Sequence, residues 1–211
     1  MAPHSNLIGY VQAGGGSTRF GSDKSLALLE GKTMLARTVD LVASVCPVTA
    51  IVALSSRYPG APAPVVEDRW PGQGPLGGVL TALYDGPLRV PTTAPDSYAL
   101  IISCDMPFLT RDWLAFLCAR ALQSTAQVVV PQSGLGMEPL CACWRLDAVG
   151  PLRAAFDSGV RKMTEAMKTL SVEVLDESVW KRFDTHGRLF WNLNTAADYR
   201  EALRMTEAGE P

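Results

Sequence analysis

Gln12 to Lys24 reads QAGGGSTRFGSDK, and the apolar run Leu7 to Val11 leads straight into it. An apolar run of that length, bounded by glycines, is the pattern of a buried strand. Three successive glycines, Gly14 to Gly16, then allow a tight turn, and with no Cβ in the way the backbone N–H groups can approach a ligand closely. Arg19 and Lys24 add two cations. A ring of N–H donors with an Arg and a Lys beside it suits a phosphate chain.

Two common phosphate loops do not fit. The P-loop requires Lys directly after its second glycine, but Ser22 follows Gly21 and Lys24 comes two residues late. The dinucleotide fingerprint started at Gly14 would require a third glycine where Arg19 stands.

Outward from this loop, strand and helix signals alternate. Val48–Leu54, Pro64–Glu67, Tyr98–Ser103, Gln127–Pro131 and Ser171–Leu175 read as strands. Pro139–Arg145 reads as one more, antiparallel and near an edge because of its proline. Helical spacing covers Thr33–Cys46, Leu76–Tyr84 and Val160–Leu170. Thr110 is expected to cap a helix to about Leu122, and Asp147 one to about Asp157. Thr195 and Asp198 form a capping box for the last helix. The pattern predicts an α/β chain: a three-layer α/β/α, Rossmann-like domain, with a mostly parallel sheet and an antiparallel strand. Residues 1–211 are expected to form one domain.

Composition narrows the function. Lys and Arg nearly balance Asp and Glu, with a formal net charge of -2, so no nucleic-acid partner is expected. No apolar run has the length of a membrane span, so no membrane partner is expected either. The N-terminus lacks the features of a secretory signal. The five cysteines lie in apolar stretches and read as reduced core residues, which points to the cytoplasm. His4 and His186 offer no credible nucleophilic triad.

Open α/β sheets bind ligands beyond the carboxyl ends of their strands. The unusual residues fall there. Asp105 follows the apolar strand Tyr98–Ser103 and is the expected Mg²⁺ ligand, since Mg²⁺ takes one or two carboxylates together with phosphate oxygens and water. Asp68 opens a second glycine-rich turn, EDRWPGQGPLGG from Glu67 to Gly78, and reads as a second ligand, a base contact or a turn residue. Arg161 could meet an anionic substrate. Asn192 and Asn194 share a face if their segment is extended, and both amides could hydrogen-bond a polar ligand. This set suits nucleotidyl transfer, where positioning and charge neutralisation do most of the work.

Four stretches together resemble one family. AGGGSTRFGSDK is similar to the A-G-G-x-S-x-R-x-G-x-x-K loop of nucleotidyltransferases, and EDRWPGQGPLGG, ISCDMPFL and NLNTAADY follow in order. GPLGG combined with the late NLNT resembles the molybdenum cofactor guanylyltransferases. That resemblance implies transfer of GMP from GTP to the phosphate of molybdenum-molybdopterin, with release of pyrophosphate. It implies that Gly14, Gly15, Arg19 and Lys24 hold the triphosphate, with Gln12 and Ala13 in the same nucleotide-binding set. Asp105 would hold Mg²⁺, Asp68 and Gly78 would line the nucleotide site, and Arg161, Asn192 and Asn194 would meet the molybdopterin. Arg19, Lys24 and Asp105 would be the catalytic groups. A molybdenum-insertion or molybdoenzyme chaperone is an implied partner. Gln12 replaces the usual Leu and Phe20 the usual Met, and many members have His where Glu138 stands. A cytidylyl- or sugar-phosphate nucleotidyltransferase of the same fold, or a non-catalytic nucleotide- or molybdopterin-binding adaptor, is the alternative.

Overall fold

The apolar run ahead of the glycines forms β1 (Leu7–Gln12), in a computed structural model that describes residues 6–14, 23–90 and 97–207. β1 lies between β2 (Val48–Ala53) and β4 (Tyr98–Ser103) and is parallel to both, with Ile8 opposite Val48 on one side and Ala99 on the other. β3 (Val65–Glu67) adds a parallel strand outside β2. Beyond β4 come β6 (Cys141–Arg145), β5 (Val128–Ser133) and β7 (Val172–Leu175), giving the order β7-β5-β6-β4-β1-β2-β3. β6 alone of these seven runs against its neighbours.

The expected antiparallel strand is therefore present, but it is interior. Pro139 suggested an edge because proline cannot donate to a ladder. The proline precedes the ladder, which begins where Cys141 faces Ile102, so every residue of the strand itself retains its amide.

Alternation along the strands sends side chains to two faces. Leu7, Val11, Ile51, Leu100 and Ile102 pack towards α1 (Met34–Ala43) and α3 (Arg111–Ala121). Ile8, Tyr10, Val52, Ile101 and Ala142 pack towards α2 (Pro75–Asp85) and α4 (Val149–Asp157). Each large apolar side chain buried this way contributes on the order of 1.5–3 kcal/mol. The result is the expected three layers. β1 can approach α1 closely because Gly9 has no side chain there: a Cβ at Gly9 would stand 2.2 Å from Cγ1 of Val42.

Thr33 and Thr110 cap α1 and α3 with their hydroxyls, accepting from the amides of Ala36 and Trp113. Asp147 does not cap α4. It lies in a short 3-10 turn, Leu146–Ala148, and its carboxylate is taken by Arg145. The helix expected over Val160–Leu170 is shorter: α5 (Met163–Ala166) runs into a 3-10 turn, Met167–Thr169. α6 (Glu177–Trp180) and the hairpin Leu28–Leu29 with Lys32–Thr33 were not anticipated. The capping box of α7 (Ala196–Glu207) forms as expected: Asp198 accepts from the Thr195 amide, and the Thr195 hydroxyl accepts from the Asp198 amide. The five cysteines are buried and none forms a disulfide. No helix among the described residues is long and apolar enough to cross a membrane.

Candidate active site

Lys24 and Asp105, 81 residues apart in sequence, meet at the carboxyl end of β4. Lys24 Nζ donates to Asp105 Oδ2 at 2.5 Å, with the two side chains 22% and 14% exposed. Asp23 holds the Lys24 turn by accepting from the Ser25 amide and hydroxyl. The NLNT segment closes over the pair: the Leu193 amide donates to the Asp105 carbonyl at 2.8 Å, and Lys24 Nζ reaches the Leu193 carbonyl at 3.4 Å.

Asp105 Oδ1 is buried with no hydrogen-bond partner among the described residues. An orphaned carboxylate oxygen is costly unless something fills its lone pairs, and a divalent cation does so. No cluster of three or more His, Cys, Asp and Glu side chains able to hold a metal occurs among the described residues. The donor set thus fits a hard cation that takes one carboxylate and draws its other oxygens from phosphate and water, rather than a metal caged by protein.

The loops after β1, β2 and β3 border a cleft of about 270 Å³ lined by Gln12, Ala13, Gly14, Leu54, Arg57, Asp68, Pro71, Gly72 and Gly74. Gly74 is the N-cap of α2 with φ 81° and ψ -177°, a conformation open to glycine and to almost nothing else. Asp68 accepts from the Trp70 amide and the Thr81 hydroxyl through Oδ1, which pins the turn to α2. Gly78 works indirectly. A Cβ there would stand 2.2 Å from Gln12 Nε2, so the missing side chain is what seats the Gln12 amide. Gln12 Nε2 donates to the Pro75 carbonyl at 3.2 Å, and its Oε1 is buried without a partner among the described residues.

Arg57 is a residue that motif reading missed. It ends a 3-10 turn after β2 and carries no motif of its own; only its place beyond a strand end could have flagged it. Its Nη2 donates to Asp23 Oδ2 at 2.8 Å. Burial alone would raise the pKa of Asp23, but hydrogen bonds from Ser25 and Tyr58 and the charge of Arg57 outweigh it and hold the carboxyl below its ordinary value. Glu138 is the second residue whose setting was not legible. The β4–β6 register carries past Ile102 and Cys141 to Ser103, whose amide donates to the Leu140 carbonyl, and so brings Glu138 towards Asp105. Burial pushes the Glu138 carboxyl up and the charge of Asp105 adds to this, against a hydrogen bond from Ser133.

The remaining expected residues divide. Arg161 joins the second glycine-rich turn: Nε donates to Gln73 Oε1, Nη1 donates to the Phe156 and Val160 carbonyls, and the guanidinium lies over the Phe156 ring. Asn192 turns its amide back to the Phe190 carbonyl, and the Asn194 backbone amide donates to Asp198. Gly15 and Arg19 lie outside the described residues. A further hollow of about 370 Å³ runs between α1 and Met106–Leu109, but the two cations lining it, Lys32 and Arg37, are paired with Asp40 and Glu30. The partnerless oxygens of Gln12 and Asp105 lie at the strand ends.

Residues 9–172 match the MobA-like NTP transferase domain. The chain belongs to this family. The transferase is 33% identical over 206 residues to a Chloroflexus aggregans protein named "Probable molybdenum cofactor guanylyltransferase", with 95% of each chain covered. It is 31% identical over 205 residues to a molybdenum cofactor guanylyltransferase of Desulfosudis oleivorans, covering 96% of this chain and 97% of that one. Its fold is similar to the crystal structure of molybdopterin-guanine dinucleotide biosynthesis protein A from Archaeoglobus fulgidus, with a TM-score of 0.78, 24% identity, and 95% and 99% of the two chains covered. The transferase is therefore a nucleotidyltransferase enzyme, as the strand-end residues led us to expect.

Proposed function

We propose that this transferase moves GMP from GTP to the phosphate of molybdenum-molybdopterin and releases pyrophosphate. The reading is carried by the match along nearly the whole chain to relatives bearing the guanylyltransferase name. The geometry at the end of β4 supports it.

In this reading an oxygen of the molybdopterin phosphate forms a bond to the α-phosphorus of GTP, and the bond from that phosphorus to pyrophosphate breaks. No protein nucleophile is required. Gln12, Ala13 and Gly14 line the cleft that takes the nucleotide, with Gly15 and Arg19 following in the same loop. Lys24, held by Asp105 and the Leu193 carbonyl, brings a fixed positive charge to the phosphate chain; preorganised charge of this kind does not reorganise as the leaving group forms. Asp105 would hold Mg²⁺ through its unpartnered Oδ1, and the ion would supply neutralisation of charge on the phosphate oxygens. Asp68 and Gly78 shape the nucleotide side through the turn and the seat of Gln12. Arg161, Asn192 and Asn194 are assigned to the molybdopterin. The whole chain acts as one domain, in the cytoplasm, and passes its product to a molybdenum-insertion or molybdoenzyme chaperone.

Isothermal titration with GTP and with CTP, each with Mg²⁺, tests the nucleotide half. GTP binding without CTP binding is expected. Comparable CTP binding would replace the reading with a cytidylyltransferase. Asp105→Ala should abolish Mn²⁺ binding detected by paramagnetic resonance, and full Mn²⁺ binding in that variant would remove the metal assignment.

A further inference from the structure

The guanidinium of Arg57 stands between the two described ends of the glycine-rich loop. Nη2 is bonded to Asp23, the first described residue after residues 15–22. Nη1 lies 3.9 Å from the position a Cβ would take on Gly14, the last described residue before them. Asp23 is itself fixed from several sides, by the Ser25 amide, the Ser25 hydroxyl at 2.6 Å and the Tyr58 hydroxyl at 3.0 Å. It therefore anchors one end of the guanidinium at a fixed point. Arginine carries five N–H donors in a rigid fork. Among the described residues only Nη2 is hydrogen-bonded, and the side chain, 39% exposed, borders the cleft with Gln12, Gly14 and Asp68.

We propose that Arg57, oriented by Asp23, is a nucleotide-binding residue that donates from its free edge to the phosphate chain of the bound nucleoside triphosphate. This rests on the nucleotidyltransferase reading and adds to it a cation contributed by the loop after β2. Nη2 is spent on Asp23, so the guanidinium is already held beside the cleft before ligand arrives. The other edge meets the cleft beside the glycine backbone, where two oxygens of a phosphate can accept parallel hydrogen bonds. Asp23 is a positioning residue in this arrangement.

The test compares a ligand with phosphates and one without, on the full chain with Mg²⁺. Arg57→Ala and Arg57→Gln, the second of which keeps a donor for Asp23, should each weaken GTP binding in isothermal titration by about 10- to 100-fold, the range expected for lost charge-assisted hydrogen bonds. Guanosine binding, followed by ligand-observed NMR, should change less than about twofold, within the scatter of surface substitutions. Equal losses for GTP and guanosine in both variants would overturn the inference, because Arg57 would then only brace the loop. Unchanged GTP binding in the variants, with normal binding by the unsubstituted protein, would overturn it alone. Absence of GTP binding by the unsubstituted protein would overturn the guanylyltransferase reading and the inference with it.

Discussion

Replacing Gly78 by alanine sets two effects of opposite sign against each other. Gly78 is the fourth residue of α2, and Gly→Ala inside a helix ordinarily stabilises by about 1 kcal/mol. Here the new Cβ would stand 2.2 Å from Gln12 Nε2 and 2.5 Å from its Cδ, where ordinary contact begins near 3.4 Å. The amide must retreat by more than an ångström. It then loses its bond to the Pro75 carbonyl, worth about 0.5–1.5 kcal/mol, and is forced off its rotamer for about another 0.5–1.5 kcal/mol. The clash of about 1–3 kcal/mol therefore cancels or exceeds the helix gain. In a Gln12→Ala background the obstruction is gone, and alanine at 78 should stabilise by about 1 kcal/mol. Urea unfolding of the four proteins gives the coupling as a double-mutant cycle, expected at about 1–3 kcal/mol with a reversal of sign. GTP affinity should fall in Gly78→Ala as the displaced amide enters the cleft. If alanine at 78 has the same effect on stability in both backgrounds, Gly78 does not seat Gln12 and the account of this residue is wrong.

Lys24→Ala should lose about 2–4 kcal/mol of transition-state stabilisation, read as kcat/KM for GTP in a coupled pyrophosphate assay; an unchanged kcat/KM removes Lys24 from the machinery. Gly9→Ala, whose Cβ would also crowd Cys46 at 3.1–3.2 Å, should destabilise by about 1–3 kcal/mol, with Tm falling about 2–4 °C per kcal/mol; a Tm at or above the unsubstituted value would contradict the close β1–α1 contact. The folded-state pKa of Glu138 is raised above the ordinary glutamate value of 4.5, so ionisation opposes folding as pH rises through the folded value. Glu138→Gln should therefore be more stable than the unsubstituted protein at pH 8 without divalent cations, with the advantage vanishing below the ordinary value; an equal advantage at pH 4 and pH 8 would count against the buried-carboxylate explanation.

The strands were legible wherever burial on both faces leaves a continuous apolar run. Tyr98–Ser103 is legible residue for residue because a central strand buried on both faces has no solvated side to interrupt its pattern. Local capping chemistry placed Thr110 and the Thr195–Asp198 box. The hairpin at Leu28–Thr33 was harder: its strands are two residues each, and its turn uses Glu30 with φ 51° beside Gly31 with φ 78°, a conformation unusual for glutamate. The sequence marks β6 as antiparallel but not as interior, because a proline weighs against interior pairing only when it lies inside the ladder. At the site, the glycine loop and Asp105 carry local signatures. Arg57 and the seat of Gln12 do not, since each depends on a partner at least 34 residues away.

The reversed strand β6 has a consequence for how the two halves of the enzyme can diverge. Because it runs backwards between β4 and β5, the chain leaves the ligand edge after Asp105, passes through α3, β5 and the Gly136–Met137 strand, and comes back to the same edge at Glu138. That excursion is a detour whose departure and arrival are neighbours. Lengthening or remodelling it leaves the spacing of β1, β2 and β4 untouched. A lineage could thus remodel the stretch between Asp105 and Glu138 while the strand ends that border the Gln12 cleft stay fixed.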